Sequence, residues 1–119
     1  MSDLTKLKHE FEKSSDFLVA LGDQKRQAII LALLDKQVVH RGLRVSELTD
    51  VTGLSRPAVS HHLKLLRNVA LIDYRRDGTK NYYYLTHRTK RIQQLQTLLT
   101  HVTTVMEENE QLWKKSWLS

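Results

Sequence analysis

The chain has 119 residues, 40% of them hydrophobic, enough for one hydrophobic core and too few for two comfortable domains, so a single domain over 1–119 is expected. It contains no cysteine, which excludes disulfides, thiolate metal sites, thiol redox sensing and cysteine nucleophiles together. The formal charge of +6 is unevenly spread: residues 56–91 carry nine Lys or Arg against Asp73 and Asp77, a local excess suited to a polyanion.

The first residues carry no signal-peptide pattern. The longest apolar run, Ala28 to Leu34, is seven residues, against the roughly 20 needed to cross a bilayer. A cytoplasmic protein without membrane association is expected. Ser2 or Asp3 can cap a first helix, in which Leu4, Leu7, Phe11, Leu18 and Leu21 recur at near-helical spacing until Gly22. Asp23 caps a second helix whose wide apolar face carries Ile29, Ile30, Leu33, Leu34 and Val38, with Gly42 as its stop. Leu43 to Val45 form a short extended piece, and Ser46 caps a third helix that runs to about Thr52. Gly53-Leu54-Ser55 supplies a tight turn and a cap for a fourth helix from Arg56 to about Asn68, where Pro57 occupies a first-turn position with no hydrogen bond to lose. Leu71 to Arg76 and Asn81 to Leu85 are strand-like runs joined around Asp77-Gly78, a hairpin signal. A last helix runs from about His87 to Trp113.

Two short helices joined by a Gly-containing turn form a helix-turn-helix, here 46–68, and the hairpin at 71–85 follows as a basic wing. On the fourth helix Val59, Leu63 and Leu66 form the docking side. The other face offers Arg56, Pro57, Ser60, His61 and Lys64, mostly donors, whereas a DNA major groove presents base acceptors and phosphates. Arg56 is the candidate for bidentate contact with guanine; Ser60 and His61 suit base edges, and Lys64 suits phosphate. Arg75, Arg76 and Lys80 lie near the hairpin tip, with Ile72, Tyr83 and Leu85 facing inward, so the tip can meet the backbone or an adjacent minor groove. The competing reading of the fourth helix is the ordinary polar face of a surface helix. No enzyme motif assembles, and the helix accounts for Ser60 beside His61 and His62. A winged-helix module that binds protein or RNA would use the same fold.

Leu-Gly-Asp-x-x-Arg at 21–26, Val-Ser-Glu-Leu at 45–48, Gly-Leu-Ser at 53–55, Ala-Val-Ser-His-His-Leu-Lys-Leu-Leu-Arg at 58–67, and Arg-Arg-x-Gly at 75–78 with Tyr82, Tyr83 and Leu85 resemble the ArsR/SmtB family of bacterial repressors. The resemblance is close from about Phe17 to Leu85. It implies a mainly α winged helix-turn-helix with a small β-hairpin between the fourth and fifth helices, and a homodimer formed through the first and last helices (1–21 and 87–117). It further implies binding to double-stranded DNA at a partly palindromic operator, and repression released by a signal. The family's base-reading positions fall on Arg56, Pro57, Ser60 and His61.

The chain departs from the family in two places. Between Leu34 and Val45 it is about four residues longer than many members, roughly one helical turn, which predicts an extended second helix. The family's cysteine metal box falls on Arg44 and Ser46, neither of which replaces a thiolate. A second family metal site begins at His87, but its partner position about eleven residues on is Leu98, with His101 out of register. A residual cluster joins His9 and His101 with Glu12 or Glu108; two separate solvent-facing histidines are the plainer reading. No cofactor is expected, and the signal is left to an unknown small-molecule inducer, a protein partner, or none. In the last helix Ile92, Leu95, Leu99, Val102 and Met106 are spaced 3, 4, 3 and 4, continuing to Asn109 and Trp113. With the family's pairing of first and last helices, Leu7, Phe11, Leu95, Leu99, Val102 and Met106 become the candidate dimer interface; packing within one chain is the alternative.

Overall fold

A computed structural model describes residues 3–35 and 37–118. Ser2, one of the two expected caps for the first helix, lies outside them. The order is α1 (Asp3–Leu21), α2 (Gln24–Leu34), α3 (Val45–Thr52), α4 (Arg56–Asn68), β1 (Ile72–Asp77), β2 (Lys80–Leu85) and α5 (Lys90–Leu118). This is a mainly helical winged helix-turn-helix with one antiparallel hairpin. Two compact units are formed, one by 16–88 and the other by residues up to 15 together with those from 89 onward.

In the unit 16–88, α2 starts where expected, because the Asp23 carboxylate accepts the N–H groups of Lys25 (2.9 Å) and Arg26 (3.0 Å). The Arg26 N–H bond is the main reason that this carboxyl is held below its ordinary range. The helix then stops at Leu34, so the extended second helix is not formed. Asp35 adopts φ −61°, ψ 126°, and its carboxylate takes the Gln37 N–H at 2.9 Å, a local bond that competes with helix continuation. The extra residues instead make a separate turn: Val38 and Val39 donate to Asp35 O, and Arg41 and Gly42 to Val38 O. Gly42, at φ +74°, is forced to be glycine, because a Cβ there would lie 2.4 Å from Tyr83 O. That close approach lets Leu43 exchange backbone hydrogen bonds with Tyr83 at 2.9 and 2.8 Å, which ties this segment to the hairpin.

The third helix begins one residue before Ser46, with Arg44 at the cap position. Ser46 is not the cap, because the Glu47 carboxylate reaches back to the Arg44 N–H at 3.2 Å and closes the first turn by itself. α4 has the expected bounds; Ser55 Oγ accepts the Ala58 N–H at 3.4 Å. It ends in a Schellman arrangement, Leu71 N–H to Leu66 O and Ala70 N–H to Arg67 O, with Ala70 at φ 61° in the place glycine usually takes. The hairpin pairs Ile72 with Leu85 through Asp77 with Lys80, so the two-residue loop is Gly78-Thr79, one residue beyond the expected dipeptide. Gly78 supplies the positive φ, +63°.

α2 packs on α3, α4 and β2, and α4 on β1. Ile29, Leu48, Val59, Leu63, Leu66 and Ile72 are 2% exposed or less, and each contributes roughly 1.5–3 kcal/mol through burial. In the other unit α5 starts three residues later than His87 and continues to Leu118. Its one fully buried residue, Leu98, lies outside the expected seam; Gln94, Leu95, His101, Val102 and Val105 flank it half-buried. Among the described residues no helix is long and apolar enough to cross a membrane.

Candidate nucleic-acid interface

The two sides of α4 have opposite environments. Val59, Leu63 and Leu66 are buried, whereas Arg56, Pro57, Ser60, His61 and Lys64 are all exposed and share the outer face. The helix is therefore anchored by one stripe and presents hydroxyl, imidazole, guanidinium and ammonium donors on the other. His62 belongs to the anchored side. Its Nδ1 lies 3.0 Å from Arg26 Nη1, and since a guanidinium can only donate, Nδ1 accepts. Arg26 is 7% exposed and also donates from Nε to Ala20 O (2.7 Å) and from Nη2 to Val19 O (2.9 Å), so one buried side chain joins the end of α1 to α4.

Arg75, Arg76 and Lys80 are exposed on the wing, but they are held differently. Arg75 Nη2 donates to Arg41 O at 2.9 Å and its guanidinium lies 4.9 Å from the Tyr82 ring centroid, which fixes the strand to the turn before α3. Arg76 Nε donates to Gly78 O at 3.2 Å across the hairpin tip. Lys80 sits opposite Asp77 at the last pair of the ladder. Arg67, part of the same basic run, faces Asp73 at 3.6 Å and the Tyr74 ring at 4.5 Å, so its charge is committed to joining α4 to β1.

Arg56 and Lys80, from different elements, line one cleft with Arg44, Ser46, Thr79 and Asn81. Arg44 is the member that the sequence conceals, since its position invites comparison only with a cysteine it lacks. Beside it, Glu47 accepts Arg41 Nη1 at 3.1 and 3.2 Å. Burial pushes the Glu47 carboxyl up, but the Arg44 N–H and the Arg41 guanidinium outweigh it and hold the group below its ordinary value of 4.5.

The residual metal cluster is not assembled. His9 Nδ1 is 3.6 Å from Glu12, but His101 Nδ1 meets Glu10, at 2.7 and 2.8 Å, rather than Glu12 or Glu108. His9 is exposed, and the half-buried Glu10 is the α1 residue that meets His101. No group of three or more His, Asp or Glu among the described residues is placed to hold a metal. Of the six candidate interface residues, Leu7 is 9% exposed and already covered within its own chain, Leu95 and Val102 are half-buried, and Phe11, Leu99 and Met106 are exposed.

The family described as bacterial regulatory protein, arsR family, matches residues 23–74, from the cap of α2 into β1. An HTH-type transcriptional regulator of Methanocaldococcus jannaschii is 30% identical over 76 residues, covering 64% of this chain and 81% of the relative. The HTH-type transcriptional regulator YgaV of Escherichia coli is 35% identical over 83 residues, covering 70% and 80%. Among solved structures, a predicted DNA-binding transcriptional regulator from E. coli superposes with a TM-score of 0.57 at 30% identity, over 79% of this chain and 95% of that one.

Proposed function

The chain belongs to the arsR family of bacterial regulatory proteins and is a DNA-binding helix-turn-helix transcriptional regulator, and from that premise we propose that it is a cytoplasmic homodimeric repressor. The outer face of α4 enters the major groove, where Arg56 reads guanine, Ser60 and His61 read base edges, and Lys64 meets a phosphate. Arg76 and Lys80 carry the wing to the backbone or the adjacent minor groove, and Arg75 holds the wing in place. The observation that carries this reading is that one side of α4 is completely buried while its donor-rich side stays exposed next to an exposed basic hairpin.

Two copies related by a two-fold axis would set their α4 helices in successive major grooves, about 10 base pairs apart, on a partly palindromic operator. A protein seated this way excludes others from the same DNA, which is repression. Support for the dimer comes from α5, where Ile92, Leu99, Met106 and Trp113 recur every seven residues and are 37%, 54%, 65% and 60% exposed. A small molecule of unknown identity is the proposed releasing signal.

The test is a pair of substitutions measured on selected and on random DNA. Arg56→Ala costs about 1–3 kcal/mol on the selected sequence and relaxes preference, whereas Lys80→Ala weakens both DNAs alike. Equal losses on both DNAs for both variants would contradict the assignment of α4 as the reading element.

A further inference from the structure

The cleft between the beginnings of α3 and α4 and the turn of the wing has a volume of about 310 Å³. It brings together Arg44, Arg56 and Lys80 from three separate elements, with Ser46, Thr79 and Asn81 between them. None of these lining residues is acidic. The nearest carboxylate, Glu47, is engaged: it accepts the Arg41 guanidinium and the Arg44 backbone N–H, and approaches only Nε of the Arg44 side chain, at 3.7 Å. The Arg44 side chain is 38% exposed. Among the described residues, no oxygen takes a hydrogen bond from its two terminal nitrogens. Three cations gathered at one concavity repel one another unless an anion joins them, and an arginine fork with free terminal nitrogens matches the paired oxygens of a phosphate.

We propose that this cleft is a phosphodiester site that grips one DNA backbone phosphate between the reading helix and the wing, with Arg44 as its main ligand. Lys80 adds a point charge at the opposite wall, and Glu47 is a positioning residue that fixes the backbone from which Arg44 extends. The inference rests on the DNA-binding reading above and adds to it a contact outside both α4 and the wing. Free inorganic phosphate offers the same chemistry. The backbone phosphate is favoured because Arg56 and Lys80 wall the cleft and would hold the duplex against its mouth.

The experiment compares wild type, Arg44→Gln and Arg44→Lys for binding to selected and random duplexes from 50 to 300 mM salt, each variant checked first by thermal melting. Wild type shows a log-linear fall of affinity with salt. In Arg44→Gln the slope becomes shallower by about 0.9 for each phosphate that the variant no longer neutralises, and affinity drops about tenfold or more on both DNAs alike. Arg44→Lys keeps the slope, because it keeps the charge. A second arm titrates inorganic phosphate into the DNA-free protein and follows the Arg44 Nε–H signal by NMR; DNA moves that signal and phosphate at matched ionic strength does not. An unchanged slope in a folded Arg44→Gln protein overturns the proposal while leaving DNA binding intact. Saturable binding of inorganic phosphate with an unchanged DNA slope reassigns the cleft to a small anion and also overturns it. Wild type that binds no duplex at any salt removes the underlying reading itself.

Discussion

Arg26 shows how one side chain can set the position of a binding surface it does not belong to. Arg26 is 7% exposed and bonds Val19 O, Ala20 O and His62 Nδ1, and since Val19 O also accepts the Gly22 N–H, loss of the guanidinium leaves Ala20 O and His62 Nδ1 short of a partner. Arg26→Met is expected to cost about 2–4 kcal/mol in urea unfolding. Arg26→Lys, with a single point of donation, recovers only part of that. Glu47 gives a pH dependence of definite sign. Its folded-state value lies below 4.5, so its contribution is fully present above that pH and is lost as pH falls through the lower folded value. Thermal melting of wild type and Glu47→Gln should therefore differ at pH 7 and converge in acid; a constant difference down to pH 3 would contradict the role given to its ring of donors. The exposed donors of α4 were legible in the sequence because they follow from helical period alone. The roles of Arg26, His62 and Arg44 were not, since each depends on a partner brought from another element, up to 36 residues away for Arg26 and His62.

At the scale of elements, caps and periodicity located α1, α4 and the hairpin closely, and the failures share a cause. Val38 falls at helical spacing from Leu34 and Gly42 resembles a helix stop, so α2 reads as longer than it is. The Asp35 carboxylate bonding Gln37 N–H, and the Glu47 carboxylate bonding Arg44 N–H, are local side-chain choices that apolar spacing does not register. Gly42 resembles a helix end because both roles need a left-handed φ; its true reason is the Tyr83 carbonyl from β2. This separates two glycines with nearly equal φ. Gly53, at +71°, has no atom within 4 Å of an added Cβ, so Gly53→Ala costs only the left-handed backbone, about 1–2 kcal/mol. Gly42→Ala adds a 2.4 Å clash with backbone and should cost clearly more in chemical denaturation. Equal costs would mean that the Leu43–Tyr83 bridge yields freely.

For the molecule as a whole, the uneven charge of the sequence becomes a division of labour. Arg67 and Arg75, though exposed, hold α4 and the turn before α3 to the wing, and Arg56, Lys64, Arg76 and Lys80 are exposed beside them. The apolar period of α5 is legible too, and Ile92, Leu99, Met106 and Trp113 of that period are exposed, whereas Leu95 and Val102 are half-buried. Leu98 is the buried residue of α5, and it lies off that stripe. The exposed charge on α4 and the wing supports DNA binding, and the uncovered heptad on α5 supports the proposed two-fold dimer. The proposed mode of binding is the reading of DNA sequence by two α4 helices. It is tested most directly by incubating the purified protein with fragmented genomic DNA at physiological salt and sequencing what remains bound. A shared, partly palindromic site with half-sites centred about 10 base pairs apart is expected. Recovery of fragments with no common sequence, or of a common sequence with no two-fold repeat at that spacing, would contradict it.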